Sequence, residues 1–171
     1  IGANALLKAT TSSDNTAVGA YSMSEMTTGT GNTAVGYSTL DAATTANDNT
    51  AIGYNALTAS TSAINSVAVG TYALDAQTTA GYNTAVGYNA LSAITDNYNC
   101  VAVGSQAGAV NTVHDLTAIG ANCLDANTTG ANNTGVGSHA LTANTTGGYN
   151  TALGGGSATG TAAGSGCGCV Q

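Results

Sequence analysis

Proline, tryptophan and phenylalanine are absent from this chain of 171 residues, and Lys8 is its only lysine or arginine. The missing large aromatics restrict the core. Apart from eight Tyr the apolar residues are mostly Ala and aliphatics, and 24 residues are Gly, so a broad globular interior is hard to fill. A thin core is easier to build. One basic residue against eight acidic ones gives a formal charge of -7, which repels phosphate backbones and anionic lipid, so no nucleic-acid partner is expected. No apolar run approaches the roughly 20 residues of a membrane helix, so membrane insertion is not expected either. The chain opens on IGANALLKAT, which has no positively charged leader, and reads as a soluble piece of a longer polypeptide.

What the chain does have is a repeat. Gly2, Gly19, Gly36, Gly53, Gly70, Gly87, Gly104, Gly120, Gly137 and Gly154 follow one another at 17-residue steps, with one 16-residue step from Gly104 to Gly120. A short fixed period marks a solenoid whose every copy is one coil, stable only when stacked on its neighbours. The fold expected is all-β: a parallel β-solenoid, or β-roll, of about ten 17-residue coils spanning residues 1–158. A Gly/Cys-rich C-terminal tail at 159–171 follows.

Aligned as columns, the copies define the walls of the coil. Immediately before the glycine every residue is aliphatic, from Ile1 and Val18 to Val136 and Leu153. Three before it stand Thr16, Thr33, Thr50, Val67, Thr84, Val101, Thr117, Thr134 and Thr151, a β-branched column that marks a strand. The residue between is Ala, with Gly135 the exception. Strand side chains alternate faces, so the Val/Ile and Ala columns point opposite ways. We expect the Val/Ile column to fill the coil interior and the Ala face to lie against another chain or a second wall of the same coil. Four residues after the glycine a Leu-rich column (Leu40, Leu57, Leu74, Leu91) supplies a second apolar stack, broken by Gly108.

Eight residues after the glycine stand Thr10, Thr27, Thr44, Thr61, Thr78, Thr95, Thr112, Thr128 and Thr145, a structural threonine ladder. Ranks of Thr at solenoid spacing can also order water on an ice-binding face, but such a face wants two parallel ranks and only this one is regular. Asn15, Asn32, Asn49, Asn83, Asn133 and Asn150, just before the strand, can stack as a side-chain amide ladder.

The motif NSVAVG at 65–70 resembles the NSVAIG head repeats of YadA-like trimeric autotransporter adhesins. Copies such as NTAVGYNAL at 83–91 are also similar to repeats in the trimeric tail fibres of phages. The resemblance covers about residues 1–158. It implies a left-handed, trimeric β-roll in which the uncharged second strand face is covered by the other chains. The adhesin heads repeat about every 14 residues, however, and neither an adhesin stalk nor a fibre-chaperone domain is visible here.

Chemistry-bearing residues are few. His114 beside Asp115 and His139 lie in different coils, and neither shares a nucleophile motif, so no catalytic residues and no enzyme are expected. Asp41, Asp75 and Asp125 occupy nonadjacent coils outside any calcium-roll nonapeptide, and Cys167 with Cys169 form a lone CxC, so neither a metal nor a cofactor is expected. Cys100 and Cys123 read as small packing residues, whereas Cys167 and Cys169 are the candidates for oxidation or interchain links. Tyr37, Tyr54 and Tyr88, just after the glycine, offer an apolar ring with a hydroxyl and are candidates for contact with cell-surface glycans, beside the plainer role of surface or interchain packing.

The function expected from the repeat and its resemblance is a homotrimeric fibre shaft, part of a virion tail fibre that mediates host attachment. A bacterial surface adhesin or extracellular filament is the alternative, and an ice-binding protein a more distant one.

Overall fold

The computed structural model describes residues 1–158 and 168–170. Ten three-residue strands lie in one parallel sheet in sequence order: β1 (Thr16–Val18), β2 (Thr33–Val35), β3 (Thr50–Ile52), β4 (Val67–Val69), β5 (Thr84–Val86), β6 (Val101–Val103), β7 (Thr117–Ile119), β8 (Thr134–Val136), β9 (Thr151–Leu153) and β10 (Gly168–Val170). Each pairs with the equivalent residues one coil on, Thr16 with Thr33 and Val18 with Val35. The chain is thus a parallel β-solenoid with 17-residue coils. β10 pairs with β9, which carries the sheet into the segment set apart above as a tail; Cys167 lies outside the described residues.

The repeat closes on itself through three left-handed corners. Asn55, Leu57 and Asn65 show the pattern in one coil, at φ of 54°, 52° and 52°, and equivalent residues follow in the others. The third corner is made by Asp, Asn, Gly and Tyr residues, types that tolerate this region comparatively well. The second belongs to the Leu column, which holds Leu, Met, Gly or Ala and no β-branched residue. Val or Ile would be a genuine outlier there, which is why Leu occupies this column while Val and Ile occupy the strands.

The repeated glycine has a different cause. At φ near +135° its missing side chain would point along the solenoid axis, and a Cβ on Gly36 would stand 2.1 Å from the carbonyl oxygen of Gly53. Stacking therefore excludes every side chain from that column.

The strand faces are reversed relative to the expectation from sequence. The Ala column points inward: Ala34, Ala51, Ala68, Ala85, Ala102 and Ala118 are fully buried. The Val/Ile column points out, with Val18, Ile52 and Ile119 each 39% exposed. The reason is width. The inner face of the strand looks straight at the Leu stack and at the small residue preceding each Leu: a Cβ on Gly135 would meet Cys123 Sγ at 2.5 Å and Leu124 Cδ1 at 3.3 Å. There is room for one carbon between strand and Leu, so Ala fits and Val does not.

Polar side chains complete the interior. Asn49 is buried, donates from Nδ2 to Asn32 Oδ1 at 3.0 Å and to the Ala63 carbonyl at 2.8 Å, and accepts from the Ser66 amide at 2.9 Å. Each rung thereby satisfies backbone groups of neighbouring coils that strand pairing leaves open. A second, shorter stack lies opposite: Asn144 Nδ2 donates to Asn127 Oδ1, and Asn127 Nδ2 to Asn111 Oδ1, both at 2.8 Å.

The breaks in the repeat are compensated locally. Gly108 leaves a gap in the Leu stack that Leu116 fills from the Asn column, since a Cβ on Gly108 would lie 2.9 Å from Leu116 Cδ2. Cys123, larger than the Ala of its column, is matched by Gly135, smaller than the Ala of its own. Ser66 replaces an Asn, and Gln77 bridges the deficit by donating to Ser66 Oγ at 3.2 Å and accepting from Asn83 at 2.8 Å. The deleted residue of the 16-residue coil is absorbed between Thr112 and the corner at Asp115, and the strands stay in register, Val101 opposite Thr117.

Candidate functional site

Three surface features follow from this geometry. The first is the outer strand face itself. Its two ranks, Thr or Val in one and Val, Ile or Leu in the other, run along nine in-register strands without a charge. With about 4.8 Å between strands and about 3.3 Å per residue, the wall is roughly 40 Å by 10 Å, on the order of 400 Å². Exposed apolar patches of that size are often functional.

The second feature is a tyrosine stripe at the corner beyond that wall. Tyr21, Tyr37, Tyr54, Tyr72 and Tyr88 come from five successive coils and touch in series, with ring centroids 5.8, 5.4, 5.5 and 6.5 Å apart. Of the three tyrosines singled out for glycan contact, Tyr37 and Tyr54 stack face to face at an interplanar angle of 9°, so each occupies one ring face of the other. Tyr88 instead stands at 75° to Tyr72 across the widest gap in the stripe. Tyr21 and Tyr72 sit one residue later in the repeat than the others, at left-handed corners, and were missed because only the residue directly after the glycine was aligned.

The third feature is an open cavity of about 470 Å³ at the end of the stripe, lined by Tyr72, Asp75, Tyr88, Asn89, Ser92, Ala93, Ala109 and Val110. Its volume lies within the range of small-ligand sites. Asp75 belongs to a column of Asp, Ser and Thr in which hydroxyls normally serve carboxylates: Ser24 donates to Asp41, and Thr142 to Asp125 at 2.6 Å. Next to Asp75 the pattern fails. The Ser92 hydroxyl turns to the Ala109 carbonyl at 3.2 Å, and Asp75 Oδ1 is buried without a hydrogen-bond partner. Burial pushes the Asp75 carboxyl above its ordinary pKa, an effect partly offset by the backbone amides of Asp75 and Ala76. A further cavity of about 510 Å³ involves Tyr82, Tyr98 and Asp96, but there the carboxylate is already served by Thr78 and Thr79, whose hydroxyls hold its pKa down.

The threonine ladder is tied to the backbone. Thr10, Thr27, Thr44 and Thr61 each donate Oγ1 to the carbonyl of the Thr one coil on, at 2.8 to 3.3 Å, Thr112 and Thr128 repeat the bond to the Thr128 and Thr145 carbonyls at 2.8 and 2.9 Å, and Thr78 donates instead to Asp96 Oδ1 at 2.6 Å. Thr95 contributes the carbonyl that accepts from the Thr78 backbone amide at 2.9 Å. With their protons so engaged, these hydroxyls are poorly placed to order external water. His114 packs on the Tyr98 ring at 4.5 Å, and His139 Nε2 accepts from Asn122 Nδ2 at 3.2 Å, so the two imidazoles serve different coils. Cys100 and Cys123 are buried, free thiols. Among the described residues no cluster of His, Cys, Asp or Glu could hold a metal ion, and no helix is long and apolar enough to cross a membrane.

The fold and its outer wall define a parallel β-solenoid with one uncharged, flat face. No family model, curated protein or solved structure matches the chain.

Proposed function

We propose that this chain is a structural shaft segment of an extended fibre, and that copies of it associate along the Thr/Val wall as a homotrimer. One observation carries the reading: nine in-register strands turn β-branched side chains outward while the narrow interior accepts nothing larger than Ala. Val and Ile are spent on a surface where a monomer has no use for them. A partner that meets every rung must share the same rise per coil and the same length, and a second copy of this chain satisfies both conditions. The wall carries no charge to select a dissimilar partner. The resemblance of the repeat to phage tail-fibre repeats supports a place in a virion fibre that attaches to a host cell, with a non-catalytic role in setting length and presenting adjacent surfaces.

The test is the mass in solution. Sedimentation equilibrium should give three times the chain mass of 16.3 kDa. Val69→Lys with Val86→Lys, on the outer wall and away from the Leu stack, should keep the far-UV spectrum and yield monomers. A wild-type chain that stays monomeric at all concentrations overturns the proposal, and thermal hysteresis in that monomer would reassign the wall to ice.

A further inference from the structure

We infer that the cavity at the end of the tyrosine stripe is a binding site for a neutral saccharide ring, packed against Tyr72 and Tyr88 at the cavity wall and hydrogen-bonded to Asp75. This deepens the adhesive part of the reading above and rests on it, since it supplies the ligand class that a host-attachment surface would recognise.

Asp75 Oδ1 is buried with no partner, while the equivalent carboxylates Asp41 and Asp125 each receive a hydroxyl from a neighbouring coil. A buried acceptor without a donor is costly, so a ligand that brings a hydroxyl or amide proton to the Asp75 carboxylate supplies what the neighbouring coil does not. The rest of the lining narrows the chemistry. Tyr72 and Tyr88 cross at 75° with centroids 6.5 Å apart, the widest step of the stripe, and both border the cavity. The other neighbouring pairs stand closer, at 5.4 to 5.8 Å, whether stacked as Tyr37 and Tyr54 are or crossed as Tyr54 and Tyr72 are. Ala93, Ala109 and Val110 add an apolar side, while Asn89 and Ser92 add groups that both donate and accept. A pyranose presents the matching set: an apolar C–H face for the rings and a rim of hydroxyls for Asp75 and Asn89.

Other ligands fit less well. A divalent cation asks for six or more oxygens, and one carboxylate is on offer. Anions meet a chain of net charge -7 whose single Lys is paired with Glu25 several coils away. The cavity exists because the repeat breaks beside it: Ala109 and Val110 follow Gly108, the one glycine in the Leu column, in the shortened coil. A perfect array would have placed a Ser, Thr or Asp where Ala109 stands.

Saturation-transfer difference NMR on the intact chain tests this, with the methyl glycosides of glucose, galactose, mannose and N-acetylglucosamine as probes. At least one should give a signal, strongest from protons of one ring face. Asp75→Asn should weaken that binding about tenfold or more while the thermal midpoint stays level or rises, because it removes a burdened carboxyl rather than a contact. Tyr88→Ala should weaken binding comparably, and Tyr37→Ala should leave it unchanged. The proposal is overturned if none of the four probes gives a signal, if Asp75→Asn binds like wild type, or if Tyr37→Ala alone abolishes binding. Sedimentation of the same samples keeps the two readings apart: a trimer that binds no sugar removes the site and leaves the shaft.

Discussion

Replacing Gly87 by Ala tests the central physical claim about this fold, that the glycine column is imposed by stacking along the axis. The new Cβ would lie 2.4 Å from the Gly104 carbonyl oxygen and 2.6 Å from its carbon. Carbon and carbonyl oxygen ordinarily approach to about 3.3–3.6 Å, so the overlap is about 1 Å. It cannot be relieved by a rotamer, because both partners are backbone. Relief requires opening the spacing that Gly104 N to Val86 O and Gln106 N to Tyr88 O, both at 2.7 Å, hold closed. Overpacking of this kind costs about 1–3 kcal/mol. Placing a side chain at φ of 138° adds about 1–3 kcal/mol of backbone strain. The expected loss is therefore about 2–6 kcal/mol, a large part of the roughly 5–15 kcal/mol of an ordinary domain. Because a solenoid is held by nearest-neighbour interfaces, the break falls between two halves and should broaden the transition. Urea unfolding followed by far-UV circular dichroism, at one fixed protein concentration, reads the effect. Gly155→Ala is the matched control: its Cβ meets nothing nearer than Ser138 O at 3.7 Å, and it should stay within about 0.5 kcal/mol of wild type. If Gly87→Ala is as stable as Gly155→Ala, the axial-clash account of the repeat is wrong.

Asn49→Ala should cost about 1–3 kcal/mol in the same assay, since it strands the Ser66 amide inside the roll and takes one of two donors from the Ala63 carbonyl, which keeps the Asn47 amide; a loss under about 0.5 kcal/mol would deny the amide ladder a structural role. Burial pushes the Cys100 and Cys123 thiols from 9.0 up to about 11. Both should therefore resist a thiol-specific disulfide reagent at pH 8 until urea unfolds the chain, so that at most two of the four cysteines react in the native state. The sign for stability follows from a folded pKa raised above the unfolded one: this contribution is intact below pH 9 and is lost as pH rises toward 11. Fast modification of all four thiols at pH 8, before unfolding, would contradict the burial.

Much of the architecture was legible because it depends on period alone. The glycine spacing fixed the coil, and the strands fall where the Thr-Ala-Val triplets stand, even across the shortened coil, where Val101 pairs with Thr117. Which way those strands face was not legible. Hydrophobicity ranks Val above Ala for burial, and that ranking suits a core with space to fill. Here the wall-to-wall distance decides, and it is a property of the closed coil, set by three left-handed corners that no single residue announces. One clue was nevertheless present: the Leu column excludes Val and Ile while the neighbouring strands prefer them, a contrast that hydrophobicity does not explain and backbone conformation does.

The candidate site was legible in its parts and not in its assembly. Tyr88 was singled out for its ring, but the features that distinguish it from Tyr37 and Tyr54 are the widest spacing in the stripe, 6.5 Å to Tyr72, and a carboxylate, Asp75, contributed with Tyr72 by the preceding coil. Residues 13 to 16 apart in the chain become neighbours only once the rise per coil is known. The same arithmetic ties the cavity to the defect beside it. Gly108 removed a Leu, Leu116 restored the core from another column, and the surface over the repair was left with Ala109 and Val110, where a polar rung would otherwise have stood. In a repetitive solenoid the regular coils encode length and the irregular ones encode identity, so a ligand that discriminates one stretch of the solenoid from another has to bind where the repeat was broken and mended.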